Sequence, residues 1–214
     1  MIFDFKSGPK LHFSKYFILL FTIFNLSCFG QNFDIMLLKK INLNRNENLD
    51  GSFKLITNAT APVCLATPLV IYTIGFFKNN KELKEKGIFI GETVLISSIL
   101  TTVLKMTIKR KRPYESYPEI ENLLTVESYS FPSGHTSLTF ATATALSISF
   151  PKWYVIVPSY TFASAVGYSR MHLGVHYPGD VLFGAILGSS SAFLTIQINK
   201  WLNPERQKFK KLVN

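Results

Sequence analysis

Cysteine is scarce in this chain: there are two, Cys28 and Cys64, far apart and each in an apolar stretch. That spacing excludes a disulfide framework and a cysteine-based metal site. The expectation is two buried thiols packing as small hydrophobes. Charge is scarce as well. Asp, Glu, Lys and Arg make up 17% of the residues, where a soluble domain usually carries about 25%. Acidic residues are the rarer sign, 13 against 23 basic ones, and no group of them is spaced to hold magnesium. No zinc-finger, RRM or KH pattern is present, so the net charge of +10 does not point to nucleic acid. An anionic membrane surface or a phosphorylated substrate remains as the partner class.

What the chain has in quantity is apolar sequence, 47% of its residues, with a mean hydropathy of +0.20. Five apolar segments run over Ala61–Phe77, Gly87–Ile108, His135–Phe150, Trp153–Tyr168 and Gly179–Ile198. A membrane-crossing helix needs about 20 residues. The second and fifth segments meet that length cleanly, and the other three are short or carry Thr and Ser. The alternative is that these are core helices of a soluble all-α protein.

A sixth apolar run, Tyr16–Phe29, follows Lys6, Lys10 and Lys15. It reads as a signal peptide cleaved before Gln31, or as a first transmembrane helix. Residues 31–60 are polar and mixed. They read as a short amphipathic helix and a loop on the outer membrane surface. The fold expected is therefore all-α, a transmembrane bundle of six helices, or five after cleavage. The domain proper spans 61–198, and 199–214 form a basic cytoplasmic tail. With the N-terminus inside, 13 of the 23 basic residues fall on the inner side and ten on the outer, seven once three that take a separate role below are set aside, in keeping with the positive-inside rule. The loops 109–134 and 169–178 then share the outer face.

Three short stretches carry chemistry. In KMTIKRKRP, Lys105 and Arg112 are seven residues apart, near two helical turns, so a continuous helix would put both on one face. Pro113 is a stop for that helix. Lys109, Arg110 and Lys111 fan around the same region. Taken alone the cluster is equally a basic membrane flank. In PSGH, Ser133 is a good N-cap and Gly134 lets backbone approach a ligand. His135 then sits in the first turn, where free N–H groups and the helix dipole favour phosphate. In SRMHLGVHYPGD, Arg170 can fork onto phosphate oxygens. His176 and Asp180 are four apart at a helix start near Tyr177–Pro178. A carboxylate on one ring nitrogen fixes the imidazole tautomer and leaves the other nitrogen nucleophilic. His172 takes no assigned role.

Together these stretches resemble the type 2 phosphatidic acid phosphatase superfamily, whose pattern is K-x6-RP, PSGH and SR-x5-H-x3-D. Lys105, Arg112 and Pro113, then Pro132 to His135, then Ser169, Arg170, His176 and Asp180 match it in type, order and spacing. The resemblance covers residues 105–198; the first hundred residues carry no such signature. It implies a membrane phosphatase of the bacterial lipid-phosphatase branch, with a phosphorylated lipid as substrate, no metal and no cofactor. It implies His176 as nucleophile oriented by Asp180, and His135 as general acid. Lys105, Arg112, Ser133, Gly134 and Arg170 would hold the phosphoryl oxygens. The resemblance implies a multi-pass protein of a bacterial inner membrane, and the charge pattern puts the active site on the periplasmic or outer side. The substrates in view are undecaprenyl diphosphate, phosphatidylglycerophosphate, phosphatidic acid and lipid A. The sequence does not choose among them and is silent on oligomeric state. The alternatives are a soluble periplasmic acid phosphatase, a vanadium haloperoxidase, or a protein that binds lipid phosphate without cleaving it.

Overall fold

A computed structural model describes residues 32–202. The signal or first-helix segment, Cys28 and the residues after 202 lie outside the described residues. Among the described residues the chain is helical and has no strand. Helix α1 covers residues 32–42. A 3-10 turn, Glu47–Leu49, leads into α2 (Asp50–Asn58), α3 (Thr60–Phe77) and α4 (Lys81–Ile108). A one-turn α5 (Pro113–Ser116) opens a long loop, followed by α6 (Gly134–Ser149), α7 (Trp153–His172) and α8 (Pro178–Leu202). Each apolar segment from Ala61 onward is thus a helix. Residues 31–60 hold two helices rather than the one expected.

Local chemistry explains the ends. The turn between α3 and α4 places Asn79 at a φ of 47°, and Asn80 caps α4 by accepting a hydrogen bond from Leu83 N–H at 3.0 Å. Helix α4 stops at Lys109, which is left-handed at φ 51°. Pro178 opens α8, a position where its missing N–H costs nothing.

The packing is inverted relative to a soluble bundle. Large apolar side chains such as Leu65, Leu69, Leu95, Ile99, Ile186 and Phe193 are exposed. The helix interfaces are built from Ala, Gly, Ser and Thr, including Ser137, Ala141, Ala145, Gly184, Gly188 and Ala192. Small residues let helices approach closely where lipid removes the usual hydrophobic drive. Some buried hydroxyls bond their own helix, as Thr93 does on Phe89 O at 2.9 Å and Thr195 on Ser191 O at 2.7 Å, and others join helices, as Ser137 does on Gly184 O at 3.2 Å. Three helical stretches, Glu47–Phe77, Lys81–Ser116 and Pro178–Leu202, are long and apolar enough to cross a membrane. The chain is a multi-pass membrane protein.

Gly188 marks a tight approach of α8 to α6. A Cβ there would collide with Ser137 O and stand 2.9 Å from Ala141 N, both backbone atoms. Gly188→Ala is therefore expected to cost about 3 kcal/mol of stability, at the upper end for overpacking. A lowered thermal midpoint in detergent checks it.

Helices α4 and α7 end, and α6 and α8 begin, at one end of the bundle. Helices α1 and α2 close that end. Ile35 and Leu38 of α1 pack with Ile120 and Tyr177. Asn42 donates to Glu121 O at 3.1 Å and His172 O at 2.9 Å, and accepts from Glu121 N–H at 2.9 Å. The loops 109–134 and 169–178 meet here, as the alternating reading requires.

Candidate active site

The end closed by α1 and α2 gathers all eight residues that the sequence singled out. Lys105 comes from the last turn of α4. Its Nζ donates to the carbonyls of Tyr129 and Ser130, tying α4 to the loop that precedes α6. Arg112 does not share a helix face with it, contrary to the expectation. Lys109 breaks the helix, and Arg112 is extended at ψ 158°, the geometry favoured before a proline. The loop brings Arg112 back by a different route. It is 1% exposed, with Nε donating to Ser128 O at 2.7 Å and Nη1 to Val175 O at 2.6 Å.

Ser133 occupies the N-cap position of α6, but its side chain does not cap. The hydroxyl pairs with Thr136 Oγ1 at 2.9 Å, and its own N–H donates to Asp180 O at 3.0 Å, joining the starts of α6 and α8. Gly134 faces Thr101 and Lys105. A Cβ there would find ordinary contacts of 3.6 and 3.8 Å, so packing alone does not demand glycine. His135 is half-buried in the first turn, and the charges of Arg170, Arg112 and Lys105 all act on it. A crevice of about 230 Å³ between α4 and α6, lined by Thr101, Lys105, Gly134 and Leu138, opens beside these residues. A larger apolar groove of about 860 Å³ runs under α1 between α7 and α8, with Asp34, Arg110 and Phe131 among its lining residues.

Arg170 lies in the last turn of α7 and is 2% exposed. Its Nη1 donates to Thr57 Oγ1 at 2.5 Å, and its Nε is buried without a hydrogen-bond partner among the described residues. The chain then turns at Gly174, whose φ of +72° and close approach to Glu121 O leave no room for a Cβ. The turn delivers His176 into the interior. Nε2 lies 3.4 Å from Arg112 Nη1, and Nδ1 faces Asp180 Oδ2 at 3.4 Å. Burial pushes the His176 pKa well below its ordinary 6.5, Asp180 opposes the shift, and Arg170 and Arg112 add to it.

Asp180 is wholly buried, and its shortest contacts are not to His176. Oδ1 accepts from Arg110 Nη1 at 2.5 Å, and Oδ2 from Ser130 Oγ at 2.5 Å and Tyr177 N–H at 3.1 Å. Sequence reasoning left Arg110 in an undifferentiated basic fan and passed over Ser130. Serine in a loop gives no signal, and nothing in KRKRP separates Arg110 from its neighbours. His172, left without a role, is also buried. Its Nε2 meets Asp50 Oδ1 at 2.6 Å and its ring lies 4.4 Å from that of Phe53.

The arrangement suits an anion. A buried cation is costly unless it is paired. Among the described residues, salt bridges engage Arg45 and Arg110 but neither Arg112 nor Arg170. Two buried guanidiniums without a carboxylate of their own therefore flank a neutral imidazole at the start of a helix.

Comparison with known proteins agrees. The PAP2 superfamily model matches residues 86–204. An undecaprenyl-diphosphatase of Sulfolobus acidocaldarius is 31% identical over 168 residues, covering 78% of each chain. A lipid A 1-phosphatase of Rhizobium etli is 32% identical over 116 residues, 51% of this chain and 48% of that one. Among solved structures, the phosphatidylglycerolphosphate phosphatase of Bacillus subtilis superposes with a TM-score of 0.70 at 27% identity, covering 86% of this chain and 94% of that one. LpxE of Aquifex aeolicus gives 0.67 at 26%, covering 77% and 95%. With its family match over more than half of its length and its helical frame shared with membrane phosphatases of known structure, the chain belongs to the PAP2 superfamily and is a membrane lipid phosphatase of that type.

Proposed function

We propose that the chain hydrolyses a phosphomonoester or diphosphate of a lipid through a phosphohistidine on His176. The observation that carries this is the pairing of His176 with two buried, carboxylate-free guanidiniums, Arg112 and Arg170. Because Nδ1 faces Asp180, Nε2 is the attacking atom, and it lies beside the phosphate that Arg112 would hold. Nε2 forms a bond to phosphorus as the bond from phosphorus to the lipid oxygen breaks, and His135 gives that oxygen its proton. Water then attacks the phosphohistidine, His135 takes the water's proton, and phosphate leaves. Lys105, Arg112, Arg170, the hydroxyl of Ser133 and the backbone at Gly134 stabilise the equatorial oxygens as charge spreads over them.

The crevice between α4 and α6 is the approach this reading favours, since Lys105 and Gly134 line it. In this reading the site end faces outward across a bacterial inner membrane: once Lys105, Arg112 and Arg170 are set aside for phosphate, 13 basic residues of the sequence fall on the inner side of the alternating segments against seven on the outer. Substrates of the undecaprenyl diphosphate, phosphatidylglycerophosphate, phosphatidic acid and lipid A class fit that placement. The test is phosphate release from such a panel by purified protein in detergent with EDTA present, beside a soluble phosphomonoester. Release from a lipid in EDTA, with a label trapped on His176, is the expected result. Preference for the soluble ester would favour a non-specific acid phosphatase instead.

Arg112→Lys is expected to lower kcat/KM by about 100-fold, because lysine offers a point charge where a planar fork is needed. Lysine also cannot hold the carbonyls of Ser128 and Val175 together while reaching an anion. Steady-state kinetics on the best lipid of the panel check it.

A further inference from the structure

We propose that Arg110, set by Asp34 of α1, is a positioning residue for the nucleophile: it holds the Asp180 carboxylate so that Oδ2 stays on His176, and does not itself bind substrate. The inference rests on the reading of His176 and Asp180 given above.

Arg110 sits within the basic run, where the plain expectation is a phosphate contact. Its geometry says otherwise. Nη1 is 2.5 Å from Asp180 Oδ1, and Nη2 is 2.7 Å from Asp34 Oδ2. The guanidinium lies 3.8 Å from the centre of the Tyr177 ring. Both terminal nitrogens are thus engaged by carboxylates and one face is covered, which leaves little of the fork for an anion. Asp34 in turn accepts from Gly179 N–H at 2.6 Å, so it fixes the first turn of α8 as well as Arg110. Ser130 and Tyr177 N–H hold Oδ2 from the other side.

The consequence is chemical. When Nε2 bonds to phosphorus the imidazole ring becomes positive, and Nδ1–H must find an anionic partner. Without Arg110, Oδ2 would keep Ser130 Oγ and Tyr177 N–H, but Oδ1 would lose the guanidinium that fixes the tilt of the carboxylate. Arg110 pins Oδ1 in a wholly buried place. The link also runs from α1 through Asp34 and Arg110 to Asp180, giving the segment before the matched motifs a part in turnover.

The test compares Arg110→Gln, Arg110→Lys, Asp34→Asn and the double Asp34→Asn/Arg110→Gln with native protein, all purified in detergent and matched for thermal midpoint. Lys111→Gln, on an exposed neighbour, is the control. Arg110→Gln is expected to lower kcat about tenfold or more with KM within about threefold, the pattern of an interaction that matters in the transition state. Arg110→Lys should recover part of the loss. Asp34→Asn should lower kcat in the native background and add little in the Arg110→Gln background, since the two act as one unit. A raised KM at unchanged kcat would overturn the proposal by placing Arg110 on the substrate phosphate. So would Arg110→Gln at native activity, or fully additive effects. If Arg110→Gln does not fold, Arg110→Lys and Asp34→Asn carry the same comparison. His176→Ala and Asp180→Ala are run alongside: turnover surviving in those would sink the underlying mechanism, whereas their inactivity with a fully active Arg110→Gln sinks this inference alone.

Discussion

His176→Ala is expected to reduce phosphate release from any lipid substrate by about 10⁴-fold or more, the scale seen when a nucleophile is removed and only binding and electrostatics remain. The substitution deletes the atom that bonds to phosphorus. It leaves Arg112 and Arg170, so substrate binding should survive. Side-chain loss at a buried site also opens a cavity, and His176→Gln, closer in volume, separates that effect from chemistry. Retained binding with absent turnover in both variants is the outcome that supports the mechanism; turnover in either removes His176 as nucleophile. The pH profile adds an independent reading. Burial lowers the pKa of His176, so the neutral, nucleophilic form persists well below pH 6.5. The acid limb of kcat/KM should therefore not break at the ordinary histidine value on account of this residue. The same shift acts on stability with a definite sign. Below the unfolded value the unfolded chain binds a proton that folded His176 refuses, so this contribution is intact above about pH 6.5 and is lost as the pH falls.

His135→Ala should slow hydrolysis of lipid phosphates by about 10²- to 10⁴-fold, the usual worth of a general acid and base. The loss should shrink when the leaving group is intrinsically good, as with a nitrophenyl phosphate, because that oxygen needs no proton to depart. His135 begins α6 and is half-buried, so its removal disturbs packing less than that of His176. A single-turnover measurement of phosphoenzyme formation checks the first half of the reaction, and its decay checks the second. An equal slowing for good and poor leaving groups would remove His135 from the role of acid.

The order of the helices is legible in the sequence. Apolar runs of the right length and Pro178 at a helix start are local signals, and each apolar segment from Ala61 onward forms a helix, α4 starting six residues before the expected Gly87. The eight candidate site residues are legible because three short stretches match the pattern of a known superfamily in type, order and spacing. They meet at one end of the bundle. The reading of Lys105 and Arg112 as one helix face fails because a spacing rule holds only while the helix continues, and Lys109 ends it. Ser133 stands where a cap should, yet its hydroxyl turns to Thr136, a choice made by the neighbouring turn of α6.

By itself, then, the sequence determined the fold class and the membrane character, from local periodicity and composition, and its resemblance to a known superfamily named the residues proposed to face phosphate. The tertiary structure alone decided what holds those groups in place. Asp34, Arg110, Ser130 and Asp180 come from α1, two loops and α8, far apart along the chain. No local pattern encodes such a meeting. It arises only when the closely packed small residues of α6 and α8 bring distant ends of the chain together, where a buried carboxylate must collect whatever donors the fold has delivered.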